Sequence, residues 1–215
     1  GTAQVAPGWL STGDELLGVG GVAYYSGSDG FSGTELWRSD GTAGGTARVK
    51  DINPGSADAL PTNLTNVGGT LYFTATNEAG GALYKTDGTS AGTVLLRQGS
   101  IAGAASGGRK PLPNMNGIVY FVGNEATHGS ELWRSDGTPG GTYMVKDIYP
   151  GAGGGIAGLS SSLVVVGNAL FFSAADDTHG YELWKSDGTE PGTVMVKDID
   201  PALFGATDRH ATVSL

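Results

Sequence analysis

Glu35-Leu36-Trp37-Arg38-Ser39-Asp40-Gly41-Thr42 recurs letter for letter at Glu131–Thr138, and close variants occupy Ala82–Thr89 (ALYKTDGT) and Glu182–Thr189 (ELWKSDGT). The aspartate of this octapeptide falls at Asp40, Asp87, Asp136 and Asp187, so the unit repeats after 47, 49 and 51 residues. A period of about 40 to 50 residues with strand-like content is the signature of propeller blades.

Outward from the octapeptide, each unit reads as two hairpins. The first opens on an apolar run, Leu64–Val67, turns at Gly68 and Gly69, and returns along Leu71–Ala75. Its counterparts are Leu16–Val19 with Ala23–Gly27, Met115 with Ile118–Gly123, and Val164–Val166 with Leu170–Ala174. Two small residues between β-rich runs make a tight turn. A short loop leads into the strand Glu-Leu-Trp-Arg-Ser. Asp-Gly-Thr-x-x-Gly-Thr then closes a second hairpin, because Asp bonds its own downstream amides and Gly accepts positive φ. The fourth strand is expected over Ala47–Ile52, Val94–Gly99, Tyr143–Ile148 and Val194–Ile199, and a Pro/Gly/Ala stretch such as Asn53–Pro61 or Tyr149–Gly158 leads onward.

The expected fold is therefore all-β, a propeller-like array of four-stranded antiparallel blades, with about four complete repeats and partial strands at both ends. Residues 1–215 read as a single repeat domain, with blades over about 14–53, 62–100, 112–149 and 161–200 and partial-repeat strands over 1–8 and 211–215. Thirty-nine glycines among 215 residues and no amphipathic run of helical length agree with it, and almost no helix is expected. The aromatic at the third signature position (Trp37, Tyr84, Trp133, Trp184) is the natural wedge between blades, and a buried indole N–H wants a partner. Gly1–Val5 aligns with Gly45–Val49, and Ala211–Leu215 reads as the first strand of a fifth unit. A longer array, or a closing blade shared by the two ends, would account for both. The longer array is favoured, because the two middle strands of the fifth unit are missing.

Composition bounds the partners. A net charge of −9 with 12 Lys and Arg spread along the chain argues against nucleic acid or an anionic membrane surface. No segment approaches the length of a membrane span. With no cysteine, disulfides, thiol catalysis and cysteine metal sites are excluded.

Glu-Leu-Trp-Arg-Ser-Asp-Gly-Thr followed by Gly-Thr, then Val-Lys-Asp-Ile, then Pro-Gly, resembles the ELWxxDGT repeat of large secreted or surface-attached bacterial proteins. The resemblance covers nearly the whole chain and implies propeller-like extracellular modules. The second copy departs from the pattern, with Ala82 for Glu, Tyr84 for Trp, Gln98 for Asp and Gly99 for Ile.

Two carboxylates thus vanish together: Glu35, Glu131 and Glu182 accompany Asp51, Asp147 and Asp198, while Ala82 accompanies Gln98. A calcium site in each blade would explain this, since hard cations take clustered carboxylate and carbonyl oxygens. So would a ladder pairing each Glu with the basic residue at Lys50, Arg97, Lys146 or Lys197, and the structural pair is the plainer reading. The Asp of SDGT persists in all four copies and reads as a turn former. Acidic loops before each signature make Asp29, Glu125, Asp176 and Asp177 the better calcium candidates, and no other cofactor is implied.

His128 and His179 hold equivalent loop places and read first as structural. No G-x-S-x-G elbow, HExxH or P-loop occurs, so no recognised catalytic constellation is present, although twenty-one acids leave a glycosidase pair open. Aromatics outside the consensus, Trp9, Phe31, Tyr149 and Phe204, could stack on sugar rings, with ordinary packing as the plainer reading. The expected function is a non-catalytic extracellular binding or adhesion module at a bacterial surface. It would recognise a glycan or protein through blade loops that carry those aromatics with His128 and His179. A self-associating array of further repeats and the propeller domain of a secreted hydrolase are the alternatives.

Overall fold

The computed structural model describes residues 15–101, 110–156, 163–199 and 201. Sixteen strands form four separate four-stranded antiparallel meanders, with no helix among the described residues. Blade 1 holds β1 (Leu16–Val19), β2 (Val22–Ser28), β3 (Thr34–Ser39) and β4 (Ala47–Arg48). Blade 2 holds β5 (Thr62–Val67), β6 (Thr70–Asn77), β7 (Gly80–Thr86) and β8 (Val94–Gln98). Blade 3 holds β9 (Asn114–Met115), β10 (Ile118–Glu125), β11 (Gly129–Ser135) and β12 (Thr142–Lys146). Blade 4 holds β13 (Val164–Val166), β14 (Ala169–Asp176), β15 (Gly180–Ser186) and β16 (Val194–Lys197). The proposed end strands, 1–8 and 211–215, lie outside the described residues.

The two-residue turns form as the small residues require: Gly68 and Gly69 take φ of 59° and 89°, the left-handed pair that matches strand twist. The octapeptide is the third strand plus the loop after it. In all four loops the Asp Oδ1 accepts the backbone N–H and the hydroxyl of the Thr two residues on, for instance Asp136 from Thr138 at 2.8 and 2.7 Å. These donors hold the Asp40, Asp87, Asp136 and Asp187 carboxyls below their ordinary range, the Thr hydroxyl most of all. They are turn formers.

Apolar surface is buried between blades, in three clusters that straddle consecutive pairs. The wedge positions behave as expected: Tyr84, Trp133 and Trp184 are buried, each against the preceding blade, and Trp37 is partly exposed. Phe121 stacks on Trp133 at 6.3 Å, and the Arg97 guanidinium of blade 2 lies 3.9 Å over the same indole. The indole N–H expectation is not met, because Nε1 of Trp37, Trp133 and Trp184 is buried with no protein acceptor. In blade 2 the corresponding Tyr84 hydroxyl does have a partner, Asn77 Nδ2 at 2.7 Å.

The fourth strands stop sooner than the pattern implied. A register shift interrupts the pairing of third and fourth strands in blades 2, 3 and 4, and the Asp-Ile step leaves the ladder altogether. What takes it out is a buried carboxylate.

Candidate functional site

Glu35 and Glu131 sit at the start of β3 and β11 with no solvent exposure. Glu35 accepts the backbone N–H groups of Ile52 and Asn53 at 3.0 and 3.1 Å, and Glu131 those of Ile148, Tyr149 and Gly155 at 3.1, 3.1 and 2.6 Å. Each carboxylate therefore fixes the turn by which the chain leaves one blade for the next. Burial pushes both carboxyls up to about 7, against the lowering effect of the donated amides. The amides replace the cross-strand lysine, and Lys50 Nζ instead donates to the Thr93 carbonyl of blade 2 at 3.0 Å.

The loss of both acids in blade 2 now has a physical reason. Ala82 is fully buried, and the exit is held instead by the Gly99 N–H and the Gln98 Nε2, both donating to the Gly81 carbonyl at 2.9 and 3.1 Å. Glu and the Asp-Ile exit are one device, so they change together. Glu182 is the buried counterpart in blade 4.

Beyond the exit, each crossover bonds both of its blades. Ala59 N–H donates to the Thr34 carbonyl of blade 1, and its own carbonyl accepts the Thr76 N–H of blade 2 at 2.7 Å. The next crossovers repeat the stitch, from Ser100 to Asn124 and from Gly155 to Ala175. These crossovers share one rim of the arc with the loops that join the second and third strands. The opposite rim carries the SDGT loops and the glycine turns.

On the crossover rim lie the sequence-derived candidates. Asp29 Oδ1 accepts the N–H groups of Phe31 and Ser32 at 2.9 Å each, and both its carboxylate oxygens accept the Ser32 hydroxyl. That hydroxyl above all, then the amides, lowers the carboxyl to about 2. Asp176 repeats the arrangement, accepting the Thr178 and His179 amides and meeting His179 Nδ1 at 2.8 Å. Burial raises its carboxyl, but the His179, Thr178 and amide bonds outweigh it and the net direction is down, while the Asp176 contact raises the His179 imidazolium. Glu125 contacts His128 Nδ1 at 3.3 Å, and the far side of that ring lies 4.0 Å from Asp147. Asp29 and Asp176 thus shape their own loops. Among the described residues, no three His, Cys, Asp or Glu gather in a group that could hold a metal.

Asp177 is exposed, Phe31 is 86% exposed, and Tyr149 lies over Gly153 within its crossover with its N–H on Glu131. Trp9 and Phe204 lie outside the described residues. The structure therefore sets His128 between Glu125 at one ring nitrogen and Asp147 at the other, pairs Asp176 with His179, and leaves Phe31 exposed at a loop tip. What sequence reasoning missed is the clamp of Glu35 and Glu131, whose signal was the joint loss at Ala82 and Gln98.

No protein-family model and no curated protein matches the sequence. Among solved structures, puromycin hydrolase superposes with a TM-score of 0.54 at 19% identity, over 89% of this chain and 30% of that one. The acylaminoacyl peptidase of Pyrococcus horikoshii superposes with a TM-score of 0.50 at 12% identity, over 87% of this chain and 27% of that one. Both are β-propeller proteins, and at these identities the similarity shows the fold. The chain spans under a third of their length.

Proposed function

We propose that this chain is a non-catalytic propeller module that binds an extracellular glycan or protein along its crossover rim. The observation that carries this reading is the unequal divergence of the four internal copies. On one rim the SDGT loops keep one length, the Asp-Gly-Thr and Gly-Thr frame and the same hydrogen bonds four times, and vary at the two positions inside the frame (Ala43-Gly44, Ser90-Ala91, Pro139-Gly140 and Glu190-Pro191). On the other, the loops between the second and third strands differ in length as well as in sequence, running over 29–33, 78–79, 126–128 and 177–179, with Gly30-Phe31, Glu78, Ala126-Thr127 and Asp177-Thr178 at their tips. Residues that hold a fold are copied with it, whereas a recognition surface gains from differences between copies. Glu35, Glu131 and the SDGT aspartates are hydrogen-bonded to backbone as clamps and turn formers, which leaves the tips and the histidine-bearing loops for contact. Phe31 offers the ring face on which a sugar or an apolar side chain would rest. The resemblance to the ELWxxDGT repeat supports a location outside a bacterial cell or on its surface.

The test is a thermal melt of the chain against a panel of polysaccharides, oligosaccharides and peptides. A ligand at a hundredfold its Kd adds roughly 2.7 kcal/mol to stability. The expected result is a ligand-specific rise that Phe31→Ala diminishes without changing the melt of the free protein. No shift with any ligand would overturn the binding reading. A second reading, the propeller domain of a secreted hydrolase, is favoured by the two superposed hydrolases, and it would be supported by peptide or ester hydrolysis in a longer protein containing these residues.

A further inference from the structure

Blade 4 turns outward a face that its three predecessors bury. Leu183 occupies the register position of Leu36, Leu83 and Leu132, which are fully buried, yet it is 43% exposed. Val196 is 46% exposed where Val49, Leu96 and Val145 are buried, and Ile199 is 69% exposed where Ile52 and Ile148 are buried. The inner joints show what covers this face, because at each of them it packs against the next blade, whose wedge aromatic points back into the shared cluster.

The inner joints also share polar fittings. A tyrosine hydroxyl from one blade lies against the SDGT glycine of the next: Tyr24 on Gly88, Tyr72 on Gly137, Tyr120 on Gly188. A basic side chain donates to that loop, Arg38 to the Gly88 carbonyl at 3.1 Å and Arg134 to the Gly188 carbonyl at 3.2 Å, while Lys50 reaches the Thr93 carbonyl. Blade 4 presents the same set to solvent. Phe171 stands at the tyrosine position, and Lys185 and Lys197 stand exposed at the basic ones. At the other end of the arc, Gly41 of the first SDGT loop has nothing within 4 Å of the place a Cβ would occupy, whereas Gly88, Gly137 and Gly188 each face a tyrosine.

We propose that the outer face of blade 4 is an interaction surface for blade 1 of a second copy of this chain. Leu183 and Val196 then pack against the partner's Trp37, Phe171 enters the open side of the partner's Gly41, and Lys185 and Lys197 donate to carbonyls of that SDGT loop. The contact joins unlike faces, so it gives a ring if the rotation closes and a filament if it does not. The smallest assembly that the contact builds is a pair of copies.

Sedimentation velocity of the chain up to about 100 µM, above the micromolar Kd of a weak specific interface, is the test. The expected result is a dimer, with larger species where the contact does not close. Leu183→Asp breaks the blade 4 side, and Gly41→Asn fills the blade 1 side with a residue that tolerates the left-handed backbone. Each is expected to weaken the dimer by about a hundredfold or more, as lost hot-spot contacts do, while the melt of the monomer confirms that both variants fold. Mixed together, the two variants retain one intact joint and form a mixed pair. A chain that stays monomeric, a dimer indifferent to Leu183→Asp, or variants that form no mixed pair would each overturn the proposal.

Discussion

The stability of this protein should fall as pH rises from about 4.5 to about 7, opposite to the behaviour that paired carboxylates usually give. Glu35 and Glu131 are fully buried, and burial lifts both from an ordinary 4.5 to about 7 in the folded chain. Between these values the folded state holds a proton at each site that the unfolded state has released, so the slope of stability against pH is negative. Each pH unit of that displacement corresponds to about 1.4 kcal/mol, which gives about 3 to 4 kcal/mol per carboxyl and at most about 7 for the two. The depressed carboxyls do not mask the effect. Asp29 and the SDGT aspartates contribute stability that is gained as pH rises through their lowered range, below about 4, and is complete before the glutamates titrate. His179, raised by its contact with Asp176, acts in the same direction as the glutamates, since its contribution is present below 6.5 and is lost as pH rises through the folded value, so the comparison is best made in a His179→Ala background. Urea unfolding at pH 5 and at pH 8, on that background and on its Glu131→Gln derivative, isolates the term. The derivative carries a constant penalty of about 1 to 3 kcal/mol, because its amide group faces donated N–H groups. Its loss between the two pH values should be about half that of its parent. A parent as stable at pH 8 as at pH 5 would mean that the donated amides keep both carboxylates ionised and that burial does not dominate.

Trp133→Ala removes a buried wedge stacked by Phe121 and Arg97, and urea denaturation should register a loss of about 3 to 5 kcal/mol. A near-neutral result would remove the indole from the joint. Gly41→Ala and Gly137→Ala place the same strain on similar backbones, φ 90° and 87°, but only the second drives a methyl into the Tyr72 hydroxyl. Gly137→Ala should therefore be the more destabilising by about 1 to 3 kcal/mol, as overpacking is, and equal melts would show that the tyrosine contact contributes nothing. Chelator should leave the melting temperature unchanged, since Asp29 and Asp176 close their loops on their own amides; a fall restored by calcium would make those carboxylates ligands after all.

The blade was legible because its elements are local. The period, the glycine turns and the Asp-Gly-Thr loop each follow from residues within a few positions of one another, and all appear where the sequence put them. The clamp was not legible, because Glu35 meets Ile52 only after a hairpin has folded between them. Ala82 and Gln98 signalled a coupling, but two acids lost together suggest a shared ligand or an ion pair before they suggest one acid holding the backbone beside the other. The fourth strands were read too long for the same reason, since Val-Lys-Asp-Ile carries strand propensity and nothing local reveals the carboxylate that pulls its end away. Acidity drew attention to Asp29, Glu125 and Asp176, which stand where the second strands give way to the loops, yet the work of Asp29 and Asp176 emerged only from the direction of the neighbouring amides.

The crossovers that bond both of their blades make each joint a self-contained specification. Ala59, Ser100 and Gly155 present a carbonyl to the next blade without any side chain taking part, and the SDGT glycine that receives the tyrosine is common to every copy. A stretch of coding sequence excised or duplicated between equivalent points, such as Asn53 and Tyr149, would therefore bring together faces that already match. Arrays of this unit can change length by unequal recombination without any compensating substitution at the new seam, and the loop tips remain free to diverge in each added copy.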